Sequence, residues 1–114
     1  MPQISVDYSP RLGFDRRAFA AELHPLVAAA IDTTVESCKT RFRPVEDTFL
    51  GDGDPERAMV YLELKILAGR APEARTALSE AVLDLLKRHV GGGRVHLAVN
   101  VVELDRDVYR AAAL

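Results

Sequence analysis

Residues 58–93 constrain this chain more than any other stretch, because a strand, a corner, a helix and a stop follow one another without interruption. In AMVYLELKILA, the residues Ala58, Val60, Leu62, Leu64, Ile66 and Ala68 recur with period two and so share one face of a strand. The opposite face, with Met59, Tyr61, Glu63, Lys65 and Leu67, is amphiphilic. Gly69-Arg70 forms a corner. Ala74, Ala77, Leu78, Ala81, Val82, Leu85 and His89 then recur at helical spacing and make one broad apolar stripe. Pro72 suits the first helical turn, where a missing N–H costs nothing, and Gly91-Gly92-Gly93 supplies a left-handed cap. An apolar strand face thus meets an apolar helix stripe, with a basic residue at the corner between them.

The preceding half repeats this plan. Ile4, Val6 and Tyr8 alternate with Gln3, Ser5 and Asp7, which predicts a strand from the very start of the chain. Ser9-Pro10 and Leu12-Gly13 break it. Asp15 is the expected N-cap of a helix running to about Ile31, with Phe19, Leu23, Leu26, Val27 and Ala30 as its stripe. Pro25 inside that stripe predicts a kink or a split. From Ser37 to Phe49, Lys39, Arg41 and Arg43 alternate with Cys38, Thr40 and Phe42, and Pro44 marks the strand as irregular or at an edge. Gly51-Asp52-Gly53-Asp54-Pro55 reads as a hairpin tip, without the later bidentate Glu that a calcium loop requires. Arg94 to Leu104 is a last long strand, and the tail from Asp105 is expected as a short helix or an arm.

The expected architecture is α+β: a duplicated β-α-β plan, with a four-stranded sheet carrying both helices on one face, as one domain over residues 1–114. The other sheet face is left open, and Met59, Tyr61, Val102 and Leu104 lie on it, which argues for an oligomer. The net charge of −2 does not suit a nucleic-acid binder, and no apolar run is long enough to span a membrane. A single cysteine, Cys38, leaves no internal disulfide and fits a reducing cytoplasm; it is expected as a small buried side chain. His24, His89 and His96 have no metal-ligand spacing, and no Ser or Cys sits in a nucleophile elbow.

With Met1-Pro2 opening a strand, Pro25 inside the first helix, the DG turn at Asp52-Gly53, the run LKILAGR before a helix and Glu103-Leu104 closing the last strand, the chain resembles the 5-carboxymethyl-2-hydroxymuconate isomerase family of the tautomerase superfamily. The resemblance covers nearly the whole chain. It implies a homotrimer with sheets around a threefold axis, and an isomerase that uses the amino-terminal proline, freed of its methionine, as the base. Pro2 is then the catalytic residue, acting on a small anionic carboxylate substrate with no metal or organic cofactor. The chemistry is coherent, because a free α-amino group titrates near ~7.7–8.0 and nearby cations lower that value. The reaction implied is a 1,3-proton shift in an unsaturated 2-hydroxy or 2-oxo acid, with cations holding its carboxylates.

The cations proposed for that role are Lys39, Arg41 and Arg70, with Arg43 and the loop residue Arg11 as weaker candidates. Lys39 stands where the resemblance leads one to expect arginine; lysine neutralises a carboxylate but lacks the bidentate fork. The bland alternatives are a solvated strand face for residues 39–43, a surface loop arginine for Arg70, and packing roles for Tyr61 and Phe42. Two other functions fit the same fold: dehalogenation, hydration or decarboxylation of a small acid, or a non-catalytic trimeric binding protein.

Overall fold

Alternating side chains decide the layer structure. In the computed structural model, which describes residues 1–114, β1 (Gln3–Tyr8), α1 (Arg16–Ala30), β2 (Lys39–Pro44), β3 (Ala58–Leu67), α2 (Pro72–Val90) and β4 (Val95–Leu104) follow in order, with a 3₁₀ turn at Val35–Ser37. The sheet order is β2-β1-β3-β4. Each outer strand pairs in parallel with its own inner strand, and the inner strands β1 and β3 pair antiparallel. Both helices lie on one face, as the duplicated β-α-β plan requires.

The core is where the alternation predicts it. Ile4 and Val6 of β1, and Val60, Leu62, Leu64 and Ile66 of β3, are fully buried beneath Phe19, Leu23 and Val27 of α1 and Leu78, Val82 and Leu86 of α2. Phe42 packs against this core and meets Phe14 and Phe19 edge-on at 6.3 Å between ring centroids. Both helix stripes are rotated slightly from expectation. Ala28 is buried in place of Ala30, and Leu86 goes inside while Ala77 stays exposed. Each helix turns its bulkier or better-placed side chain toward the sheet, because burial scales with apolar area.

Local chemistry explains the ends. The Asp15 carboxylate accepts the Ala18 N–H at 3.0 Å and caps α1. Pro25 does not divide α1, which continues from Arg16 to Ala30. Pro72 occupies the first turn of α2, and Gly91 ends it at φ +79°. As expected of a strand carrying Pro44, β2 lies at an edge, but it stops at Pro44 instead of reaching Phe49. No helix is long and apolar enough to cross a membrane.

One expectation is corrected and another is narrowed. The Gly51–Pro55 turn is not a hairpin tip, because β1 lies between β2 and β3; the segment instead crosses the end of β1 from one sheet half to the other. Of the two forms expected for the tail after Leu104, a short helix or an arm, the helix does not form. The tail makes a tight turn, with the Val108 and Tyr109 N–H groups both donating to Asp105 O, and Tyr109 Oη accepts from Gln3 Nε2 at 3.1 Å.

This packing predicts that Leu64→Ala, at a fully buried β3 position, lowers stability by about 2–5 kcal/mol, whereas Asp15→Ala costs only about 1 kcal/mol through the lost cap. Urea denaturation of the two variants checks both figures. Equal midpoint shifts would contradict the core assigned here.

Candidate functional site

The start of the chain is fastened between two strands. On one side β1 runs parallel to β2 with Gln3 opposite Lys39; on the other it runs antiparallel to β3 with Gln3 opposite Lys65. Continued by two residues, the second register brings Met1 level with Leu67, at the far end of β3. Pro2 is buried there, and its carbonyl accepts the Lys39 N–H at 3.2 Å.

Three cationic side chains gather at that end. The Lys39 ammonium donates to Ser37 O at 2.7 Å. At the corner, Gly69 takes φ +123°, a region open to glycine, and so turns Arg70 back toward the sheet end. The Arg70 guanidinium donates to Leu67 O at 3.0 Å and to Ile31 O at 3.1 Å. Ile31 is the C-cap of α1, so Arg70 satisfies a helix-end carbonyl and sits at the negative end of that helix dipole. Arg106, in the tail turn, donates through Nε to Ala68 O. None of the three is in an ion pair; every hydrogen bond they make goes to a backbone carbonyl.

The terminal amine, that of Met1, feels this arrangement. Desolvation is the largest cause of a pKa lowered from the ordinary α-amino value, and the charges of Arg70, Lys39 and Arg106 follow in that order, with Cys38 opposing. The amine and its surrounding cations therefore share one end of the sheet. Such a site favours the neutral amine and attracts carboxylates.

Of the residues singled out from the sequence, Pro2, Lys39 and Arg70 come together here. Arg41 stands a step along β2 on the open face, exposed, with Nη2 donating to Gln3 Oε1 at 2.7 Å. It lines a shallow cleft of about 380 Å³ with Gln3, Ser5, Arg43, Lys65, Leu104 and Tyr109. Arg43 pairs with Asp7 at 2.8 Å on the same exposed face. Arg11 follows the C-terminal end of β1, the opposite end of that strand from Pro2.

Other candidates have packing roles. His24 bridges α1 to the edge strand through Thr40 Oγ1 at 2.8 Å, and burial pushes its pKa down. His89 lies edge-on to Phe19 and 3.3 Å from Glu22. Cys38 is buried, and desolvation raises its thiol pKa. Tyr61 donates to Glu63 at 2.9 Å on the open face, a bond that raises the phenol pKa. No group of three His, Cys, Asp or Glu side chains is placed to hold a metal ion.

Comparison with known proteins bears on the family and the fold. The family model described as 5-carboxymethyl-2-hydroxymuconate isomerase matches residues 2–109. The 5-carboxymethyl-2-hydroxymuconate Delta-isomerase of Escherichia coli is 30% identical over 91 residues, covering 78% of this chain and 72% of that protein. Among solved structures, a 5-carboxymethyl-2-hydroxymuconate isomerase from Deinococcus radiodurans R1 superposes with a TM-score of 0.85 at 22% identity, covering 99% of this chain and 90% of the other. A fused 4-OT symmetric trimer superposes at 0.81 with 13% identity, covering 96% and 93%. The two structures establish a common fold.

The electrostatic arrangement makes a prediction of its own. Removing either neighbouring cation, in Lys39→Met or Arg70→Met, lets the terminal amine hold its proton more tightly, so its titration midpoint rises toward the ordinary value. Competitive acylation of the amine against pH, read by mass spectrometry, measures that midpoint. Arg70→Met also loses two carbonyl bonds and is expected to lower stability by about 1–3 kcal/mol. An unmoved midpoint in both variants would contradict the site's electrostatics.

Proposed function

The chain belongs to the 5-carboxymethyl-2-hydroxymuconate isomerase family, within the tautomerase superfamily, and from that premise we propose that it is an isomerase whose base is the nitrogen of Pro2, exposed by removal of Met1. The substrate is 5-carboxymethyl-2-hydroxymuconate or a similar unsaturated 2-hydroxy polycarboxylic acid. The observation that carries this reading is the convergence of the chain start with Lys39 and Arg70 at one end of the sheet, where the Met1 amine, one residue before Pro2, is desolvated and flanked by unpaired positive charge.

The steps balance without a further group. Neutral Pro2 takes the proton of the 2-hydroxyl as the C2–O bond becomes a carbonyl, and the electron pair moves out along the unsaturated chain. The protonated Pro2 then delivers a proton to carbon, and the amine returns to its neutral form. Lys39 and Arg70 hold carboxylates and stabilise negative charge on the 2-oxygen. Arg70 keeps its orientation from Leu67 O and Ile31 O, so it need not reorganise as charge develops. Arg41 reaches the substrate only from the open-face side, beside Gln3.

The working assembly in this reading is a homotrimer. Half-buried Met59, Tyr61, Val102 and Leu104 lie on the sheet face that no helix covers, and neighbouring subunits would cover them. The 4-OT structure of the same fold is described as a symmetric trimer. Lys39 also supports a second reading, in which a weaker carboxylate grip at β2 suits a different small-acid reaction of the superfamily.

Ketonisation of 5-carboxymethyl-2-hydroxymuconate tests the first reading. The native protein is expected to be lighter than its full sequence by one methionine residue, and Pro2→Ala to lose about 10²-fold or more in kcat. An active protein that retains Met1 would rule out Pro2 as the base. Loss of Met1 without turnover would shift the choice to the second reading. Native mass spectrometry is expected to give three times the 12.5 kDa chain.

A further inference from the structure

Arg106 is the charged group at this site that the strand and helix patterns do not mark. It belongs to the tail turn, where Asp107 N donates to the Asp105 carboxylate at 2.9 Å, so one flanking acid is occupied within the turn itself. The tail is anchored on both sides of Arg106: Leu104 O accepts the Ala68 N–H at 3.0 Å, and the Tyr109 hydroxyl accepts from Gln3. Between these anchors the guanidinium lies over the Gly69 backbone. A Cβ built at Gly69 would sit 3.6 Å from both Nε and Nη2. The next residue is Arg70.

Two guanidinium groups therefore hang from consecutive carbonyls, Leu67 O and Ala68 O, at the strand end that lies level with the chain start. Two like charges held by backbone oxygens at one strand end, neither in an ion pair, form an arrangement that an anion completes. Arg106 is exposed and uses only Nε for its anchor, so both terminal nitrogens remain available to a ligand. This edge is what a planar, bidentate carboxylate contact needs.

We propose that Arg106 is a specificity residue of this site, binding a distal carboxylate of a polyanionic substrate from the tail while Arg70 and Lys39 hold the end nearer the base. The proposal rests on the isomerase reading for its substrate, but the anion subsite it defines does not. The charge of Arg106 acts on the terminal amine as well, after those of Arg70 and Lys39 and against that of Cys38, while Asp105 and Asp107 flank Arg106 on its own segment.

Wild type, Arg106→Ala and Arg106→Lys decide it in two assays. In the first, kcat and KM are compared for 5-carboxymethyl-2-hydroxymuconate, with three carboxylates, and for phenylenolpyruvate, with one. Arg106→Ala is expected to raise KM about 10-fold more for the first acid than for the second, any change in the amine reaching both acids alike, with Arg106→Lys recovering part of the difference. An equal change for both acids, or none for either, overturns the proposal. The second assay needs no turnover: tricarballylate, a saturated tricarboxylate, protects the terminal amine from acylation. The concentration required is expected to rise about 10-fold in Arg106→Ala, and equal protection in all three proteins overturns the subsite. A protein that turns over neither acid contradicts the isomerase reading alone, and the tricarballylate protection then decides for or against the Arg106 subsite.

Discussion

The antiparallel pairing of β1 with β3 is the contact on which the rest of the molecule depends. It joins the two β-α-β halves, setting Ile4 opposite Leu64 and Val6 opposite Leu62, all four fully buried. A slip of one residue would turn Ile4 and Val6 onto the open face and destroy the core beneath the helices. The same register carries the first residues of the chain to the end of β3, beside the corner that bears Arg70. The geometry at the chain start is therefore held by hydrophobic burial several residues away. A site at a strand terminus would otherwise fray.

The second consequence is electrostatic. On the open sheet face, cations meet acids: Arg43 pairs with Asp7, and Lys65 lies 3.6 Å from Glu63. At the chain start the cations meet carbonyls instead. A carbonyl orients a guanidinium or an ammonium but leaves its unit charge in place, so Lys39, Arg70 and Arg106 keep a positive field over the amine. That field does two things at once. It disfavours the protonated amine, and in the isomerase proposed above it also draws in the carboxylates of the substrate. One arrangement of backbone oxygens thus serves both base strength and binding.

Much of this is legible in the residues. Period-two alternation locates the strands and their buried faces, Asp15 and Pro72 locate the helix starts, and Pro44 marks the edge strand. Pro2, Lys39, Arg41 and Arg70 are reached through the family resemblance; Pro2, Lys39 and Arg70 lie at one end of the sheet, and Arg41 lies apart along β2. The misses share a cause. Local pattern reports a strand's faces and breaks but not which edge it joins, so the Gly51–Pro55 segment reads as a hairpin when it crosses the sheet end. The helix stripes differ by a residue or two, because neighbouring alanines give little apolar area to choose between positions. Arg106 lies in an Asp-Arg-Asp run with no periodicity, which in isolation reads as a solvated turn.

The lysine at position 39 gains a physical context from this. Replacing an expected arginine by lysine keeps the charge beside the amine and removes the planar fork. The Lys39 ammonium, held by Ser37 O, acts as a point charge close to the base. A guanidinium in the tail turn restores a fork on the other side of the chain start, anchored to β3 instead of β2. In the proposed reading the charge at position 39 is kept, the tail adds a further one, and the directional grip moves from the edge strand to the segment after β4. Charge near the amine governs its basicity, through distance alone. The fork governs which acids fit, through direction. In the proposed reading, a change at Arg106 alters the fork while Arg70 and Lys39, whose charges weigh more on the amine, stay in place with the β1–β3 register.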